Sequence, residues 1–313
     1  MSFVERYMGN TLSAKRRRDF WTYLILMLIP FLNFIIFYVV ANINSIVMAF
    51  QTYDLEKGAF VWATEDWLIN FKNFIYDLQH LPQLQPIWKN SLILYLASWF
   101  ISTPLLLFFS YYIYKKALLA DTLKVIIFMP SIVSGICEVL MFRYFTDNGL
   151  LYIVNNFFGG NMETGLLGVE KYMFATLMFF GMWTGLGPST LLYIGNMNQI
   201  NESLFEAAQL DGAGEFRQFI HIIIPGVWPL WSVGIYTGIT GIFFSGVDAF
   251  TFFNIAAPTS VYSLGYFLTI KLLQQGNTGY PYLSAVALLQ TFVAIPMVYT
   301  ARWLVEKYGP SDS

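Results

Sequence analysis

The sequence predicts an all-α, polytopic membrane protein with six transmembrane helices. Composition and the length of its apolar runs carry the prediction, and the placing of its basic residues orients it. Of 313 residues, 57% are hydrophobic and 12% charged, whereas soluble globular domains carry about 25% charged residues. A soluble fold has no interior large enough for that much apolar surface. The excess lies in uncharged runs, and a bilayer core about 30 Å thick takes roughly 20 apolar residues per helix.

Six such runs occur, at residues 21–50, 88–114, 122–142, 172–195, 227–247 and 283–304. Each is continuously apolar, whereas the strands of a membrane barrel alternate over about 10 residues. Helices are therefore expected. The first run follows Lys15, Arg16, Arg17 and Arg18, like the charged leader of a signal peptide. It is longer than a signal core, however, and leads into Asn42, Asn44 and Ser45 without a small-x-small cleavage site. It reads as a retained helix.

With the N-terminus in the cytoplasm, 11 of the 17 basic residues fall on the inner side, densest just before the first helix. The positive-inside rule favours this orientation. Residues 1–20 are then a cytoplasmic segment, 51–87 an outer loop and 196–226 a cytoplasmic loop, all within one transmembrane domain spanning 1–313. The outer loop carries Asp54, Glu56, Glu65, Asp66 and Asp77 among aromatic residues. It suits either a docking surface or a solvated connector with interfacial anchors.

Catalytic apparatus is absent from the sequence. No Gly-Lys dipeptide occurs, so there is no G-x-x-x-x-G-K-[ST] phosphate loop. His80 and His221 fall on opposite sides of the expected topology, and neither belongs to an H-E-x-x-H metal pattern. No G-x-S-x-G elbow is present. Cys137 is the single cysteine, which excludes an intrachain disulfide. A net charge of −2 gives no footprint for nucleic acid.

The loop between the fourth and fifth runs reads NMNQINESLFEAAQLDGAGEFRQFIHIIIPG. It is too polar to span a membrane and too patterned for a slack connector. Ser203 to Glu206 fits a capping box, so a short helix is expected to begin there. Leu204, Ala207, Ala208 and Leu210 give it an apolar side, and Asp211-Gly212 interrupts it, since glycine reaches backbone angles closed to other residues. A second amphipathic segment, with Phe216, Phe219, Ile220 and Ile223, leads to Pro225, which is expected to help end it. A rigid helix-break-helix of this kind can transmit a push from a cytoplasmic partner. It can also lie passively on the membrane surface.

Glu206, Ala207, Ala208, Asp211, Gly212, Ala213, Phe219, Ile222 and Pro225 together resemble the EAA motif of permease subunits of binding-protein-dependent ATP-binding-cassette importers. The motif is long and specific. The resemblance extends over roughly residues 18–305, through FKNF and IIFMPSIVSGICEVLMFRYFTDNGLL, and is with the sugar-importer branch, in particular the subunit like the larger maltose permease without its inserted periplasmic domain. Two places depart from the pattern: Ile200-Asn201 stands for Ile-Pro before the motif, and Ala256-Ala257-Pro258 for Gly-Gly-Pro after the fifth helix.

The resemblance implies a heterodimer of two such permeases in a bacterial or archaeal plasma membrane. Two ATPase subunits would carry the ATP and Mg, with no cofactor on this chain, and Glu206 would face a basic residue of an ATPase cleft. An extracytoplasmic binding protein would deliver a carbohydrate, with a polyol, sugar phosphate or acidic polysaccharide as alternatives. Solute contacts carried over by position are Trp183, Thr184, Gly185 and Pro188 before the loop and Phe244, Ser245 and Asp248 after it. Glycines here can equally serve close helix packing. Glu138 is the anomalous intramembrane charge, lining the pathway or pairing with Arg143. A self-sufficient secondary transporter would lack any need for the ATPases, and a membrane-bound enzyme would need catalytic residues that the sequence does not show.

Overall fold

The computed structural model describes residues 14–242 and 249–310. The expected solute contacts Phe244, Ser245 and Asp248 lie outside the described residues. Five helices are long and apolar enough to cross a membrane, or six if one bent pair counts as a single span. The chain divides into two compact units, one built on residues up to Lys72 together with Asn277–Leu288, the other on Asn73–Gly276 and the chain from Leu289 onward.

In the first unit, α1 (Asp19–Met48) matches the first apolar run. None of the residues within its most apolar window is buried, which suits lipid or a partner subunit as its surroundings. A hairpin of β1 (Gln51–Asp54) and β2 (Ala59–Trp62) follows, antiparallel, with Gln51 opposite Trp62 and Asp54 opposite Ala59. This small sheet was not expected from the sequence. Its four-residue turn closes on Asp54, whose Oδ1 accepts from the Glu56 and Lys57 amides at 2.9 and 3.1 Å, and on Gly58 at φ +59°. The Lys57 amide above all holds the Asp54 carboxyl below the ordinary aspartate range. Asn70, on α2 (Ile69–His80), donates to the Ala49 and Gln51 carbonyls at 2.9 and 2.8 Å, fixing the hairpin's root.

The second unit is organised by α6 (Glu170–Met197), whose 28 residues extend about 42 Å. Its first half supplies Leu177 and Phe180 to a cluster with Val139, Phe142, Phe252 and Tyr266. Its second half supplies Tyr193 and Met197 to another, with Leu106, Leu107, Ile223 and Val227. The other helices of this unit are α3 (Gln85–Tyr114), α4 (Ala120–Ile132), α5 (Gly135–Phe157), α7 (Glu202–Leu210), α8 (Glu215–Gly241), α9 (Ala249–Phe253) and α10 (Leu264–Gln275); α11 (Tyr280–Tyr308) begins in the first unit and ends in this one.

The third apolar run, expected as one straight span, is instead broken. The two halves, α4 and α5 to Phe157, are bent by 110°. Pro130 lacks the N–H that the last turn of α4 would use, Val133 is extended at ψ 145°, and α5 restarts after Ser134. Hydropathy sums over both halves and cannot see this break. Glu138 and Arg143, both on α5, stand five residues apart and so point to different sides of the helix. Arg143 reaches Asp147 at 3.7 Å and the Phe252 carbonyl at 3.2 Å. Gly187 lets α6 approach α4 closely, since a Cβ there would lie 2.8 Å from the Ile127 carbonyl oxygen.

Candidate functional site

The polar loop folds as a helical elbow, α7 and then the first turns of α8. The N-cap of α7 is Asn201, two residues ahead of the expected Ser203-Glu206 box, and its side chain accepts from the Ser203 amide at 3.1 Å. The residue at which the chain departs from the family pattern is thus the cap itself, a role an Ile-Pro sequence could not fill. Such a cap contributes about 1 kcal/mol.

At the other end Gly212 takes φ +74°, the Gly212 amide donates to Gln209 and the Ala213 amide to Ala208 at 2.8 Å. This pair of bonds is a Schellman motif, which ends a helix with a glycine in the left-handed region. The expected break at Asp211-Gly212 is therefore present, with a stated backbone cause.

Pro225 does not end the second segment. The helix runs on from Glu215 to Gly241, with a π-helical turn at Phe219–Ile223 just before the proline. A proline ring clashes with the carbonyl four residues back, and widening that turn relieves the clash. The second arm of the elbow and the fifth span are one rod. The fifth span accordingly starts 12 residues before the apolar run that predicted it.

The elbow's inner side is packed. Phe205 is 6% exposed and Ile223 is fully buried among Leu107, Tyr193, Met197 and Val227. The apolar side expected from Leu204 and Leu210 is not the buried one; they are 53% and 90% exposed, and Phe216 is 76% exposed. Glu206, Ala207 and Asp211 are exposed too, whereas Ala208, Ala213, Phe219 and Pro225 are half-buried. Two faces result, one holding the elbow to α3 and α6, the other presenting apolar and acidic side chains together.

Sequence reasoning missed the groups that fasten this element, since they come from the end of α3, about a hundred residues earlier. Lys115 Nζ meets Glu215 Oε2 and Gln218 Oε1, both at 3.0 Å, and lies 5.2 Å from the ring centroid of Phe205. Tyr111 Oη donates to Glu215 Oε2 at 2.6 Å, and the Tyr111 ring packs on Phe219. Gln218 is 2% exposed and its Nε2 donates to the Ala213 carbonyl at 2.9 Å. Leaving such a buried amide unpaired costs about 1–3 kcal/mol.

Above the elbow, α3, α6 and α8 enclose a cavity of about 390 Å³. Its polar groups are hydroxyls, from Tyr95, Ser98, Ser102, Thr103 and Ser189, and its edges are glycines on α6 and α8. Of the carried-over residues, Gly185 lines this cavity, with open space around its Cα. Trp183 does not; it faces a smaller space of about 200 Å³ at the break of the third span, with Glu138, Phe142 and Pro130. Thr184 donates to the Gly181 carbonyl at 3.3 Å, and Pro188 is exposed. The hydroxyls on α3 were invisible as a site because they are spread along an ordinary apolar run. Among the described residues no cluster of His, Cys, Asp and Glu could hold a metal ion.

The fold, with a broken third span, a long central helix and an elbow joining α6 to α8, is similar to that of solved ABC importer chains. The crystal structure of a bacterial ABC transporter involved in the import of the acidic polysaccharide alginate matches it with a TM-score of 0.73 at 19% identity, covering 94% of this chain and 97% of that one. A structure of the bacterial alginate ABC transporter in complex with an alginate pentasaccharide-bound periplasmic protein matches with a TM-score of 0.71, again at 19% identity, over 93% and 96%. Among sequences, the polygalacturonan/rhamnogalacturonan transport system permease protein YteP of Bacillus subtilis (strain 168) is 27% identical over 292 residues. That alignment covers 92% of this chain and 88% of the relative. No family model matches the chain. Sequence and fold agree on a membrane transport component similar to ABC sugar importer permeases, rather than an enzyme.

Proposed function

We propose that this chain is one permease subunit of an ATP-driven importer. With a second homologous permease it forms a pathway through a bacterial or archaeal plasma membrane for a carbohydrate, a mono- or oligosaccharide, delivered by an extracytoplasmic binding protein. The observation that carries this reading is the two-faced elbow. Its inner side is fixed to the helices around the cavity, while Glu206, Ala207, Leu210 and Asp211 stand free on a rigid, capped helix. A passive interfacial helix would have no need of fixed charges and a Schellman break beside its apolar residues.

In this reading the termini and the elbow face the cytoplasm, in keeping with the basic residues. Two ATPase subunits bind ATP and Mg, and each permease elbow seats in one of them. Closing the ATPases moves the elbows together and turns the pathway outward; hydrolysis resets it. Serine, threonine and tyrosine hydroxyls lining the cavity are suited to exchange hydrogen bonds with sugar hydroxyls. A fragment of an acidic polysaccharide is the second reading of the solute, favoured by the polymers named for the alginate importer and for the relative YteP.

The test is reconstitution in lipid nanodiscs with ATPase subunits of sugar importers from the same organism. Glu206→Lys together with Gly212→Val is expected to lower ATPase-subunit binding at least tenfold, about 1.4 kcal/mol. Equal binding by a chain lacking residues 206–225 would remove the elbow from the coupling.

A further inference from the structure

Lys115 makes a ring contact with one arm of the elbow and polar contacts with the other. Its ammonium lies against the Phe205 ring on α7, at 5.2 Å, and between the Glu215 carboxylate and the Gln218 amide oxygen on α8, both at 3.0 Å. Gly212, at φ +74° with no atom within 4 Å of a Cβ built there, separates the arms, so no side chain is packed into the corner itself. Beyond the Schellman bonds at that corner and the apolar cluster beneath it, the angle between the arms is set by side chains that reach across from α3.

The surrounding contacts are arranged to hold that ammonium. Tyr111 donates to the same Glu215 oxygen at 2.6 Å, the Gln218 amide nitrogen ties the corner itself through Ala213, and Tyr114 packs on Phe205 at 6.1 Å. The Lys115 side chain is 24% exposed and that of Glu215 66%, so the lysine is the inner member of a pair that opens to water on the glutamate side. The same α3 that ends at Tyr114 carries Tyr95, Ser98, Ser102 and Thr103 into the cavity wall.

We propose that Lys115 is a positioning residue that fixes the angle between the two arms of the elbow and locks the elbow to α3. A displacement of α7 is thereby passed both into α8 and into the cavity wall. The consequence for transport rests on the coupling reading above; the locking itself does not.

The experiment uses the full chain in nanodiscs with Cys137, which is exposed, replaced by Ser, and spin labels at Leu204→Cys on α7 and Phe216→Cys on α8, both exposed. Dipolar spectroscopy reads the spread of the distance between the arms. Lys115→Met keeps the length and bulk of the side chain but not its charge, and is expected to widen that spread roughly twofold, while Lys115→Arg keeps it narrow. If Lys115 only filled space, Met would leave the spread unchanged, and that result overturns the proposal. Tyr111→Phe, which deletes a single oxygen, supplies the same test if the methionine variant does not insert; it is expected to widen the spread less, and no widening at all counts against the lock. Binding of the ATPase subunits is measured on the same discs. A wild-type chain that recruits none sinks the coupling reading, while a widened spread in Lys115→Met still supports the lock.

Discussion

The chain contains two helix-break-helix elements that are built in opposite ways. The elbow breaks at Gly212 in the left-handed region, with an Asp-Gly signal and a Schellman pair of hydrogen bonds. The third span breaks at Val133 and Ser134 with no positive φ at all; Pro130 withdraws a hydrogen-bond donor and the chain restarts in extended geometry. Outside the membrane water satisfies stray peptide groups, so a break can be tight and glycine-based. Within an apolar span, each freed carbonyl needs a partner in the protein; beside this break Ser131 Oγ donates to the Phe128 carbonyl at 2.8 Å. The elbow is then held by polar and charged side chains, whereas the broken span is held by close contact with α6.

That contrast can be broken at three points. The largest stability loss is expected from Gly187→Val, because a Cβ there meets the Ile127 carbonyl oxygen at 2.8 Å. Overpacking of this sort costs about 1–3 kcal/mol, read as a lower midpoint in thermal unfolding in detergent; an unchanged midpoint would show that α4 yields freely.

Gly212→Val is expected to cost about 1–2 kcal/mol, confined to the elbow, since nothing crowds its Cβ. Amide exchange should accelerate over residues 205–218 and stay unchanged around Ile127, and a global change instead would make the elbow part of the main folding unit. The smallest stability effect, within about 0.5 kcal/mol, is expected from Gly185→Val, whose Cβ enters open space at the cavity. Its readout is uptake by the reconstituted importer, which should fall as the cavity narrows while the unfolding midpoint holds. Normal uptake would take the solute path away from this cavity.

Much of the elbow could be read in advance because its signals are local. Asp211-Gly212 and the acidic EAA segment sit within a few residues of the structure they specify. The cap was misplaced by two residues, because Asn201 and Ser203 offer the same chemistry and only backbone geometry selects between them. The buried side was misassigned for a related reason: Leu204 and Phe205 are adjacent, and the face that turns inward depends on Tyr114 and Lys115, which the local pattern does not contain. For the pathway, position alone brought Gly185 to the cavity but sent Trp183 to the space beside Glu138, since two residues along a helix turn a side chain by about 200°.

The sequence by itself determined that long apolar helices build the chain and roughly where each apolar run falls, because transfer from water to lipid is a sum over neighbouring residues. It also determined the glycine break of the elbow, which depends on one residue's allowed backbone angles. Only the tertiary structure decided where the third span bends, which hydroxyls share a cavity, and that Lys115 bridges the elbow's two arms. These depend on packing between residues far apart in the chain, and a local sum carries no record of such contacts.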